Sequence, residues 1–130
     1  MRSRALPVLL LAYAAASLVH FVHNAEFVSD YPNLPATWTR ADVYVAWLAV
    51  SAVGMTGWVA LVRGFTRPGL AILAAYAALG LDSLGHYVLA PLSSHTLAMN
   101  ATILLEVTAA GLVLVEVARQ FIRSMPVGAR

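Results

Sequence analysis

His20, His23 and Glu26 close the first apolar stretch of this 130-residue chain, and Asp82 and His86 close the third. His95 and Glu106 belong to the start of the fourth. In a chain that crosses a membrane up and down, those places fall in the same half of the bilayer. Five of the six carboxylates and all four histidines then lie there. Ionisable groups at membrane depth cost about 2.5–3.5 kcal/mol each on insertion scales. A cluster of them on one side is the main functional signal of the sequence.

Imidazoles and carboxylates together bind divalent transition metals, and a helical bundle can combine them from facing helices. His20-x-x-His23-x-x-Glu26 and Asp82-x-x-x-His86, with Glu106, give a candidate ligand set of three histidines and three carboxylates. That suffices for one three-ligand catalytic site plus water, or for two ions of zinc, iron or manganese. The spacing matches neither His-Glu-x-x-His nor the paired Glu-x-x-His of di-iron bundles. A second reading is metal-free acid–base chemistry on a lipid or isoprenoid. Glu106 would then be the catalytic acid and Asp82, paired with His86, the base. A third is haem held by His23 and His86, although five acids against Arg40 suit propionates poorly. A fourth is a purely structural subunit, whose polar residues only bond helix to helix.

Depth follows from the helical rise of 1.5 Å per residue. Glu26 and His95 are expected at the rim and His23, His86 and Met99 within about two turns. His20, Asp82 and Thr102 fall a little deeper, and Glu106 lies roughly 15–18 Å down. His95, Met99, Thr102 and Glu106 share one helical stripe. The expected object is a funnel with Glu106 at its floor, walled on the second helix by Tyr44, Trp47 and Ser51. Alone at that depth Glu106 should be protonated; beside a metal or a His20 imidazolium it should be ionised. Nothing polar obvious continues inward except Thr108, so a dead-end pocket is expected rather than a channel.

The elements that must position these groups are four apolar segments, each near the ~20 residues a spanning helix needs. They run over about 6–27, 41–62, 68–89 and 94–122, with Thr39 and Asp42 suited to start the second and Ser93–Ser94 the fourth. Pro126 and Gly128 are expected to end the last. Gly54 and Gly57 permit close helix contact. The linker Ser29-Asp30-Tyr31-Pro32-Asn33-Leu34-Pro35-Ala36-Thr37-Trp38 is too rich in turn formers for helix, and its Tyr31 and Trp38 suit an interfacial aromatic belt. Glu116 is expected to pair with Arg119. The fold class is therefore all-α: one domain, a bundle of four antiparallel transmembrane helices.

Arg2, Arg4, Arg63, Arg67, Arg119, Arg123 and Arg130 lie on one side and Arg40 on the other, so both termini are expected to be cytoplasmic. Met1–Arg4 followed by Ala12-Tyr13-Ala14 resembles a signal-peptidase site, yet the apolar run continues through Phe21, long enough to span.

Composition agrees. The chain is 61% hydrophobic and 11% charged, with a mean hydropathy of +0.78, against roughly 25% charged in soluble domains. The absence of cysteine excludes disulfides, thiolate metal sites and cysteine nucleophiles. All eight basic residues are arginine and sit at helix ends, so no nucleic-acid surface is expected. With the abundant alanine they suggest a bacterial inner (plasma) membrane. Membrane lipid is the expected partner, a small or lipidic substrate would suit the pocket, and an oligomer is compatible.

His23-Asn24-Ala25-Glu26-Phe27, followed by a linker with proline and tryptophan, resembles the start of the small bacterial membrane proteins named for a His-x-x-Glu-Glu motif. Phe27 stands where that motif has its second glutamate. The resemblance implies a four-helix membrane fold and places weight on His23 and Glu26. It implies no reaction.

Overall fold

The computed structural model describes residues 4–125 and is helical, with no strand among them. Arg2, Arg130, Pro126 and Gly128, used above for orientation and for the last helix end, lie outside the described residues. Four helical stretches are long and apolar enough to cross a membrane: Ala5–Glu26, Arg40–Val62, Thr66–Leu89 and Leu97–Arg123.

The first, α1, spans Ala5–Glu26 with Pro7 in its opening turn, where a missing N–H costs nothing. α2 spans Arg40–Val62 behind a capping box. Thr39 Oγ1 accepts from the Asp42 N–H, and Asp42 accepts from the Thr39 N–H at 2.9 Å, which satisfies two otherwise orphaned donors. Gly64, at a φ of +93°, makes the turn into the third span.

That third span is not one continuous α-helix. α3 covers Thr66–Leu81, a 3-10 turn takes Asp82–Leu84, and α4 covers only Gly85–Leu89. A 3-10 stretch inside a helix often marks a functional hinge. α5 spans Leu97–Arg123 and starts three residues later than Ser93–Ser94 suggested. Pro91 opens a separate 3-10 turn at Leu92–Ser94, and Thr96 supplies the N-cap by accepting from the Met99 N–H at 3.2 Å. His95 is therefore extended backbone outside the helix. It does not share the stripe of Met99, Thr102 and Glu106.

The helices pack in a ring: α2 on α3, α3 on α5, α5 on α1 and α1 on α2. The core is formed by Leu6 and Tyr13 of α1, Leu61 of α2, Leu70, Leu73 and Ala77 of α3, and Ala110, Val113 and Val117 of α5. Gly54 and Gly57 act as expected, because a Cβ on either would stand 2.8–2.9 Å from Tyr76 or Leu73 on α3. Near the other ends of the helices a smaller cluster joins Tyr31, Met99 and Ile103.

Candidate functional site

Glu106 sits on the inward face of α5 and is fully buried. The 3-10 turn that interrupts the third span swings Ser83 toward it, and Ser83 Oγ donates to Glu106 Oε2 at 2.5 Å. Opposite, on α1, His20 Nε2 lies 3.7 Å from the same oxygen. His20 is itself buried, and its Nδ1 lies 3.3 Å from Thr102 Oγ1.

The hydrogens of this group can be counted. Thr102 Oγ1 donates to the Met99 carbonyl at 3.1 Å, and a carbonyl can only accept. With its hydrogen on the Met99 carbonyl, the Thr102 oxygen is free to accept one from His20 Nδ1. In a neutral imidazole this leaves Nε2 as a bare acceptor, and it faces a carboxyl oxygen. At 3.7 Å the two are in contact without a hydrogen bond, and two facing acceptors are unfavourable when buried. One proton, on the carboxyl or on the ring, would relieve that arrangement. Ser17 is buried on the same side of α1, with its hydroxyl close enough to act on the Glu106 carboxyl as Ser83 does.

A cleft of about 520 Å³ opens beside this pair. Its polar wall is His20, Asn24, Asp82, Ser83 and His86. Val43, Ala46 and Val50 of α2 form the apolar wall, with Leu34 and Trp38 of the linker also lining it. Glu106 does not line the cleft. It is reached through His20 and Ser83, one layer behind the floor position expected from depth.

The expected residues separate into three groups. His20, Asp82 and His86 share the cleft, and the His20 and His86 rings meet edge to face at 5.5 Å. Asp82 is exposed, whereas His86 Nε2 accepts from Asn24 Nδ2 at 3.2 Å. His23 stands aside from the cleft, with Nδ1 2.9 Å from the Tyr31 hydroxyl. Glu26 is engaged elsewhere, accepting from Arg40 and from the Tyr44 hydroxyl at 2.8 Å each, where it ties the end of α1 to the start of α2. Among the described residues no group of three or more His, Asp and Glu side chains is arranged to hold a metal ion. His95 donates from Nδ1 to the Pro91 carbonyl at 3.0 Å, and its buried Nε2 has no partner.

Two expectations about the site's surroundings are corrected. Tyr31 is not an interfacial belt residue: it is 3% exposed and packs on both His23 and His86, with ring centroids at 5.9 and 4.9 Å. Trp47 and Ser51 line a different cleft, and Tyr44 holds Glu26, so α2 presents the neighbouring stripe to the site. Away from the site, Glu116 accepts from Gln120 at 3.0 Å, one turn further along α5. Burial pushes the Tyr31 hydroxyl up to about 12, so it keeps its hydrogen.

Ser83 and Tyr31 were absent from the expected site, and Asn24 was expected only on a neighbouring polar stripe with Tyr13, Ser17 and His20. A serine next to Asp82 and an asparagine next to His23 were the available signals, but single hydroxyls and amides are common in spanning helices. Compared with protein-family models, with curated proteins and with solved structures, the chain matches none.

Proposed function

We propose that this chain is an integral membrane acid–base catalyst in which His20 and Glu106 share one proton and His20 exchanges it with a substrate in the neighbouring cleft. The observation that carries this reading is the 3.7 Å contact of His20 Nε2 with Glu106, made by a ring whose Nδ1 is committed to Thr102. His20 lines the cleft and contacts the carboxyl through Nε2, so the proton reaches the cleft when the ring turns Nε2 from Glu106 toward the substrate. Asp82, on the same wall, is the second acid–base group. Ser83 positions the carboxyl, while Tyr31 and the Glu26–Arg40–Tyr44 cluster hold the cleft's surroundings.

Relocation of a carbon–carbon double bond is the reaction class that fits. A proton from His20 adds at one alkene carbon while Asp82 takes one from the allylic carbon next to the other, so the double bond moves by one position. The sum is neutral and needs no co-reactant. In this reading the four spans run antiparallel, both termini are cytoplasmic, and the cleft opens on the non-cytoplasmic side of a bacterial inner membrane. The arginine distribution supports that orientation.

The test is deuterium incorporation. Membranes holding the protein, incubated in heavy water, should place deuterium on carbon in one lipid class, and Glu106→Gln and His20→Ala should not. Equal incorporation in the Glu106→Gln protein would overturn the proposal.

Metal assistance stands second. It is favoured by the succession of His20, His86 and His95 rings at 5.5 and 6.3 Å and by the partnerless His95 Nε2. An ion of zinc, iron or manganese would have to displace the Asn24–His86 bond. Elemental analysis separates the readings. A stoichiometric metal lost in both His20→Ala and His86→Ala supports the second, and metal-free protein with carbon-bound deuterium supports the first.

A further inference from the structure

We infer that the substrate is a single-chain lipid that enters sideways from the bilayer between α1 and α2, its hydrocarbon chain in a second, apolar cleft and its reacting end beside His20. This inference rests on the acid–base reading above and adds the substrate class.

The second cleft encloses about 400 Å³, within the range of small-molecule sites. Leu10, Leu11 and Ala14 of α1 face Trp47, Met55 and Trp58 of α2 across it. It shares walls on α1 and α2 with the polar cleft, whose remaining wall is the third span from Leu79 to Leu89. On α2 the two interleave, Ala46 and Val50 lining the polar one and Trp47 and Ser51 the apolar one. On α1 the apolar cleft ends at Ala14 and the polar one begins at His20, with buried Ser17 between them. From Val43 to Trp58 the combined lining runs about 22 Å along the helix, polar at one end and apolar at the other.

That gradient matches an amphiphile lying parallel to the helices. Width selects one chain, because the axes of packed helices lie roughly 8–10 Å apart. Entry is lateral. Leu11 and Met55, at the lips, are 72% and 65% exposed on a face that in a bilayer meets hydrocarbon. Of the neighbouring helix pairs, α1 and α2 are also the least closely packed.

A photo-activatable linear isoprenoid alcohol, with a diazirine at its hydrocarbon end, tests this on the intact protein in lipid nanodiscs. Labelling should concentrate on peptides containing Leu10–Ala14 and Met55–Trp58. Ala14→Phe and, independently, Met55→Trp narrow the cleft at positions open enough to accept the larger side chain. Each should reduce labelling at least about tenfold. Labelling spread evenly over the exposed faces of all four spans would mark bulk lipid and overturn the inference, as would full labelling in both narrowed variants. His20→Ala keeps this labelling while abolishing deuterium transfer. Labelled protein that transfers deuterium equally well without His20 refutes the acid–base reading alone. Transfer that depends on His20, without localised labelling, refutes the lipid groove alone.

Discussion

Ser83 is the donor that meets Glu106 Oε2, and no water reaches a carboxyl with no exposed surface. Ser83→Ala therefore leaves a buried acceptor short of a partner, at a cost of about 1–3 kcal/mol. Unfolding in graded denaturing detergent should read that loss, and a variant as stable as the parent would remove Ser83 from the group. The shared proton has its own signature. In infrared difference spectra Glu106→Gln should delete either a protonated-carboxyl band or a carboxylate band. His20→Ala should leave the protonated form, because the only other seat for the proton is gone. A carboxylate band persisting in His20→Ala would contradict the one-proton count. His20, Asp82, His86 and Glu106 were legible as a group because charge inside an apolar segment is costly wherever it points. Ser83, Asn24 and Thr102 were less so, since a hydroxyl or amide in a spanning helix can satisfy itself on its own backbone. Its partner depends on helix rotation, which the weak periodicity of these segments does not encode.

The helices themselves were readable to within one or two residues at most ends, because segment length and end chemistry fix them: the Thr39–Asp42 box begins α2 where expected. What escaped was the 3-10 turn Asp82–Leu84, since Gly85 and the polar pair before it are equally compatible with continuous helix. The displaced start of α5 followed from reading Ser93–Ser94 as a cap when Thr96, beyond the Pro91 turn, takes that role. Helix contacts are tight enough to test. A Cβ at Gly69 would lie 2.7 Å from the backbone nitrogen of Leu61, which cannot swing aside. Gly69→Ala should push α3 off α2 and cost roughly 1–3 kcal/mol, measurable by the same detergent titration. The linker 28–39 over the cleft is pinned by Tyr31 and by Asn33, which donates to the Leu89 carbonyl at 2.9 Å. Neutral Tyr31 is favoured in the fold, its ionisation raised from 10.0 to about 12 by burial. The stabilisation is complete below pH 10 and is lost as pH rises toward about 12. With Trp47 and Trp58 replaced by phenylalanine, Trp38 fluorescence should change across that window, and Tyr31→Phe should abolish the change.

At the scale of the molecule, the arginine split makes orientation testable in a chain with no native cysteine. A single cysteine at Thr37 should react with a membrane-impermeant thiol reagent added outside intact cells, and one at Phe65 should not. The reverse pattern would invert the proposed topology. Ser83 and His20 belong at once to the cleft wall and to the shell around Glu106. Whatever settles in the cleft and shifts either side chain changes how firmly the buried proton is held. Thermodynamic reciprocity then fixes the converse: if occupancy alters proton affinity by some factor, protonation alters the occupant's affinity by that same factor. Titrating ligand binding against pH and measuring proton uptake against ligand should therefore return one coupling constant.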